Sequence, residues 1–230
     1  MRYNINMFKK AILLIIILVL VSASAVFADS FQWAGMGSLF YFASSNPGAG
    51  PAAIVPSVGF AASWPLFDIF RLEVTEDIYF TNYEFNKTLG YPMITGPENR
   101  AAFVIGFLTA AQFTAVFPIG DNGILARAYG GFALDIRLAI RAFGLNHPAD
   151  IAEAQAQTDA IFSYFWSNGR FFLPVVGGGM DFPVNDYYFA GFDLRIWIPL
   201  YRLLTNENIP AIDGWRIGVS LRITPRQNSR

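Results

Sequence analysis

Long stretches of strict apolar–polar alternation, an oily composition with few charges, and a five-residue turn pattern that recurs three times predict an all-β chain. The expected architecture is a single eight-stranded antiparallel transmembrane β-barrel, with three short turns at one end and four longer loops at the other. Of the 230 residues, 54% are apolar, 17% aromatic and 14% charged. A soluble domain carries about 25% charged residues, so this composition suits contact with lipid.

The first segment stands apart from the barrel. Arg2, Lys9 and Lys10 form a basic start, 11–21 is an unbroken apolar run, and Val26-Phe27-Ala28 is a small-residue cleavage site, so 1–28 reads as a secretory signal peptide cut near Ala28. The alternative is an uncleaved anchor helix, because the run approaches the roughly 18 apolar residues that a spanning helix needs. Cleavage leaves 202 residues with 13 basic against 17 acidic, a net charge of −4, which offers no basic footprint for nucleic acid. Cysteine is absent, which excludes disulfides and thiolate chemistry.

Residues 29–225 carry the eight strands. The first, 31–42, contains Gly35-Met36-Gly37, a sign of bending or close backbone approach. In the second, 54–64, Ser57, Gly59, Ala61 and Ser63 form the small or polar parity; in the third, 70–80, Arg71, Glu73, Thr75 and Asp77 oppose Phe70, Leu72, Val74, Ile78 and Phe80. The fourth, 103–117, lies in a stretch (101–119) apolar enough to pass for a spanning helix. Its neighbour decides the matter. From 124 to 143, Ile124, Ala126, Ala128, Gly130, Phe132, Leu134, Ile136, Leu138, Ile140 and Ala142 share one parity, and Arg127, Tyr129, Asp135, Arg137 and Arg141 lie on the other. A helix would scatter those charges, whereas a strand puts them on one face. The sixth strand, 172–182, contains Gly177-Gly178-Gly179 and Asp181; in the seventh, 188–198, Asp193 and Arg195 oppose Phe192, Leu194 and Ile196. The eighth sets Arg216, Gly218, Ser220 and Arg222 against Trp215, Ile217, Val219, Leu221 and Ile223. Glu76 breaks the pattern by pointing at lipid, unless a bulge within 75–77 re-aims it.

The turn pattern reads aromatic, Pro, aliphatic, any residue, Asp: Trp64-Pro65-Leu66-Phe67-Asp68, Phe117-Pro118-Ile119-Gly120-Asp121 and Phe182-Pro183-Val184-Asn185-Asp186. Proline donates nothing to a ladder, and Gly, Asn and Asp favour tight turns, so all three are expected to be short connections. Trp64, Phe117 and Phe182 fall on the lipid parity and so are expected in one interfacial girdle. The other connections, 43–53, 86–100, 144–169 and 203–214, are longer, which places the short turns and both chain ends in the periplasm and the long loops outside the cell. In the third loop, 146–150 resembles a capped helix start, and Ile151, Ala154, Ile161, Phe162, Phe165 and Trp166 recur at helical spacing. This partly helical loop is expected either to fold over the barrel mouth, to contact lipid or a partner outside, or to pack on its neighbours.

Parity collects Arg71, Arg127, Arg137, Arg141, Arg195, Arg216 and Arg222 against Glu73, Asp77, Asp135, Asp181 and Asp193 in the lumen. Seven cations facing five anions fit a narrow, weakly anion-leaning pore. The other reading is that they pair as Arg–carboxylate forks and fill an interior that, in an eight-stranded barrel, is just wide enough for side chains. The only histidine, His147, sits beside Pro148 in a loop as a solvated or capping residue. No histidine cluster suggests a metal, and neither cofactor nor enzymatic activity is expected.

Across 29–225 the alternation, girdle aromatics and turn periodicity together resemble the small eight-stranded outer-membrane proteins, the class that includes the OmpA transmembrane domain, OmpX and OmpW. The resemblance implies a bacterial outer-membrane location, partners in outer-membrane lipid and the barrel assembly machinery, and a structural, porin-like or loop-mediated surface-binding role. Two departures mark the chain. Members commonly end on an aromatic residue read by the assembly machinery, whereas here Ile223 and Thr224 precede Pro225 and a polar tail, 226–230. OmpW-like proteins have an apolar passage for hydrophobic cargo, whereas this lumen parity is charged. A soluble exported lipid carrier is the remaining alternative, and the apolar parity argues against it.

Overall fold

The alternating segments form eight strands: β1 (Gln32–Phe42), β2 (Ile54–Phe67), β3 (Phe70–Glu84), β4 (Ala101–Ile119), β5 (Ile124–Arg141), β6 (Phe172–Pro183), β7 (Tyr188–Trp197) and β8 (Arg216–Pro225). A computed structural model of the chain describes residues 31–43, 53–85, 90, 101–141, 151–206 and 214–226. The signal-like segment 1–28, His147 and residues 227–230 of the polar tail lie outside them. Each strand pairs antiparallel with its neighbour in sequence, and β8 pairs with β1, so the sheet closes into a barrel without a free edge.

Register fixes the shape of that barrel. Followed once around, the paired residues run from Gln32 through Ser63, Glu73, Gln112, Gly131, Val175, Trp197 and Arg216 to Phe42. The path returns to β1 ten residues beyond its start. Such a stagger tilts the strands by about 35–45° and leaves an eight-stranded interior that side chains can fill.

Burial follows the sequence alternation. In β8, Arg216, Gly218, Ser220, Arg222 and Thr224 are buried, and Ile217, Val219, Leu221 and Ile223 are exposed. Phe60, Phe113, Phe132 and Leu194 extend the exposed apolar face around the other strands. The usual polarity of a globular protein is inverted: charges lie inside and large apolar side chains outside.

Three short connections gather at one end, between β2 and β3, β4 and β5, and β6 and β7. The prolines do not make these turns, contrary to the sequence expectation. Pro65, Pro118 and Pro183 are residues of β2, β4 and β6, each still paired across the ladder, and the chain reverses just after them. In the first turn Asp68 takes φ +41°, in the second Gly120 and Gly123 take +61° and +73°, and these residue types tolerate the left-handed region. Leu66 is the extra residue of a bulge next to Pro65, where the missing N–H does least harm to the ladder.

The bulge expected within 75–77 is absent. Pairing runs unbroken through Thr75, Glu76 and Asp77 on both sides of β3, so Glu76 does face outward. Thr109, its partner in register on β4, donates a hydrogen bond to Glu76 Oε2 at 2.5 Å. This contact satisfies the carboxylate on the lipid side without re-aiming it.

At the opposite end the third loop contains α1 (Ile151–Trp166) and a 3₁₀ turn (Ser167–Gly169), and a short helix, α2 (Leu200–Thr205), follows β7. Buried Gln157, Ile161, Tyr164 and Phe165 occupy one stripe of α1 and pack into the barrel mouth.

Candidate functional site: the barrel interior

Each strand sends every second side chain inward, about 6.7 Å apart along the strand, so lumenal residues from eight strands meet in stacked levels. At the turn end, Arg127 of β5 forks onto Asp181 of β6, with Nε at 2.8 Å and Nη2 at 3.1 Å, while its Nη1 lies 3.0 Å from Asp193 of β7. Arg71, half-buried at the start of β3, donates to Gln32 Oε1. Above this, Arg222 forks onto Glu73 at 2.7 and 3.1 Å, and Gln112 Nε2 donates to Glu73 Oε1 at 2.9 Å.

The middle level is a second neutral pair. Arg195 reaches Asp77 at 2.6 and 3.2 Å and donates to Ser220 at 2.7 Å, and the hydroxyls of Ser38 and Ser57 donate to Asp77 at 3.1 and 3.3 Å. The level nearest the loops carries two cations on one carboxylate. Arg137 Nε and Arg216 Nη2 lie 2.8 and 2.7 Å from Asp135 Oδ2, and Tyr79 donates to Oδ1 at 2.8 Å. Asp77, Asp135, Arg137 and Arg216 are sealed from solvent. Both guanidiniums also lie against rings: Arg216 is 4.3 Å from the Phe42 centroid, and Arg137 is 5.2 Å from Phe165 of α1.

An aromatic plug closes the loop end. Phe40, Phe42, Tyr79, Tyr83, Phe85 and Trp197 of the barrel pack with Ile161, Tyr164 and Phe165 of α1. The Tyr79 ring fits because its neighbour in register is Gly106, where a Cβ would come within 2.0 Å of the ring. Gly177 makes the same allowance for Tyr129, so the glycine run of β6 gives room to a lumenal ring. Outside the plug, Arg170 stacks on both Tyr164 and Tyr201, tying α1 to α2.

Eleven of the twelve charges that parity assigns to the lumen are thus located there, ten buried and Arg71 half-buried. The backbone of Arg141 ends β5 opposite Ala102, and its side chain lies outside the described residues. The turn aromatics part company. Phe117 and Phe182 are exposed at the turn end, but Trp64, also on the outward parity, is only 4% exposed because Phe31 packs on it with ring centroids 5.5 Å apart. That corrects its place in an open girdle.

Charge alone missed the neutral partners Ser38, Ser57, Tyr79, Gln112 and Ser220, and the lumenal rings Phe40, Phe42 and Trp197. All lie on the same parity as the charges, and that was the available signal. Among the described residues no group of three or more His, Asp or Glu side chains is arranged to hold a metal.

A closed sheet with a paired, charged interior and an apolar exterior defines a transmembrane β-barrel, because closure leaves no unpaired strand edge and the outer face is suited to hydrocarbon. Solved structures similar to this chain include the outer membrane protein OprG from Pseudomonas aeruginosa, at 7% identity over 85% of this chain and 92% of that one, with a TM-score of 0.49. Ail, the attachment invasion locus protein of Yersinia pestis, crystallised with the heparin analogue sucrose octasulfate, matches at 5% identity over 85% and 95%, TM-score 0.44. Neisserial surface protein A matches at 12% identity over 86% and 97%, TM-score 0.40. No protein-family model and no curated protein matches the sequence.

Proposed function

We propose that the chain is a structural barrel of the bacterial outer membrane, which passes no solute in its resting form and holds its helix-capped end outside the cell, with the short turns in the periplasm. The closed wall, the apolar exterior and the signal-like segment 1–28 support that location. One observation carries the closed reading: Arg–carboxylate pairs cross the middle of the lumen, and the interstices between Glu73, Tyr129 and Arg195 hold no water-sized space. The expected outcome in planar bilayers is therefore silence. Persistent discrete currents whose ion preference reverses on Arg137→Glu would replace this reading with the narrow pore.

A surface-binding role is the second reading. It rests on Leu203 and Leu204 of α2, 54% and 77% exposed at the loop end beside the α1 cap. Replacing both by Ser should reduce adhesion of cells displaying the protein while leaving the barrel folded; unchanged adhesion removes this support.

A further inference from the structure

At the turn end of the lumen, guanidinium groups face open space. A cavity of about 320 Å³ lies there, lined by Arg71, Arg127, Arg222, Arg226, Glu73 and Asp181 among others. Arg127 and Arg222 are forked onto Asp181 and Glu73 and are neutralised. Arg71 and Arg226 make no such close pair, although Glu73 and Asp181 act on Arg71 through space. Arg71 donates to the neutral amide of Gln32, and Arg226 donates to the backbone carbonyl of Asn185 at 3.0 Å with its guanidinium 5.0 Å from the Phe189 ring. Among the described residues neither lies within ion-pairing distance of a carboxylate.

A second observation points into the same space. Thr114 lines the cavity, is paired in register with Arg71 across β3 and β4, and is 1% exposed, yet its hydroxyl has no partner within the protein. A buried hydroxyl without a hydrogen bond is unfavourable, so a polar group held beside Thr114 would complete it. Guanidinium groups bind carboxylate and phosphate through parallel hydrogen bonds, and low-dielectric walls concentrate the field of two cations without a close carboxylate on an entering anion.

We propose that this dead-end vestibule binds a small anion bearing a carboxylate or phosphate group, held by Arg71 and the Thr114 hydroxyl with Arg226 at the rim. The site stands on its own residues, whether or not the lumen above it ever conducts. Calorimetric titration of the protein, purified from membranes in a zwitterionic detergent, with inorganic phosphate and separately with citrate tests it. Saturable binding of at least one probe is expected, weakening as sodium chloride rises. Arg71→Gln should weaken it about tenfold or more, as loss of a charge-assisted hydrogen bond implies, Thr114→Val should weaken it less, and Arg71→Lys, which keeps the charge but loses the fork, should fall between wild type and Arg71→Gln. Phosphate-only or citrate-only binding tells which group the site selects. Absence of binding by both probes, or equal affinity in the wild type and a folded Arg71→Gln protein, overturns the proposal.

Discussion

Asp135 is held by Tyr79, Arg137 and Arg216, and it is the only carboxylate within reach of two buried guanidiniums whose contacts are described. Removing it takes a buried carboxylate from both cations, so Asp135→Ala should cost about 3–5 kcal/mol, read as a lower urea midpoint for unfolding from lipid vesicles. Glu76 tests the opposite face. Glu76→Leu should raise that midpoint by removing a carboxylate from the lipid side, and Thr109→Val should lower it by taking away the carboxylate's hydrogen-bond donor. At this scale parity made the charges legible, and the Asp135–Arg137 contact, two residues apart on one strand, is implicit in the sequence. The Asp135–Arg216 contact is not. It spans 81 residues and depends on the stagger of the sheet, which no local pattern encodes. Glu76 was legible as an anomaly, but its resolution by a cross-strand threonine required the register of β3 against β4.

The helix α1 shows what a single element contributes. Its apolar spacing over 151–166 announced a helix, but the face it buries is centred on Gln157, Ile161, Tyr164 and Phe165, while Trp166, read as part of the apolar set, is only half-buried. Helical periodicity locates a stripe without saying what the stripe meets, and the meeting surface here includes Tyr83 of β3 and Arg137 of β5, far away in sequence. Phe165 sits against Tyr83 at 5.9 Å and beneath the Arg137 guanidinium, so truncating it leaves a hole at the top of the plug. In Phe165→Ala, hydrogen exchange should accelerate in α1 while strand amides stay protected; equal loss of protection in both would mean that the cap and the wall unfold as one unit. The six-residue α2 was invisible for a simpler reason. A helix of that length completes fewer than two turns and has no periodicity to read.

For the molecule as a whole, the number of strands, their inward parity and the order of short and long connections were all legible, because each follows from alternation and turn chemistry within a few residues. Whether the lumen is open was not, since packing density across the barrel depends on pairings between side chains from distant strands. The wall itself has one contact of a different order from the rest. Seven of its eight seams join strands adjacent in sequence, whereas the eighth joins β1 to β8, with Gly35 paired to Ile223 and Phe42 to Arg216. A chain shortened before residue 214 should therefore fail to acquire the heat-modifiable gel mobility of the closed form rather than settle into a smaller barrel, and a compact seven-stranded product would refute this. The seam also has a meaning in time. During synthesis β1 emerges first and its last partner emerges last, so a ribbon with two unsatisfied edges has to be kept from aggregating for nearly the whole length of the chain. Closure then comes at the highest loop-entropy cost available to this fold, because it joins the two strands that lie furthest apart in the chain.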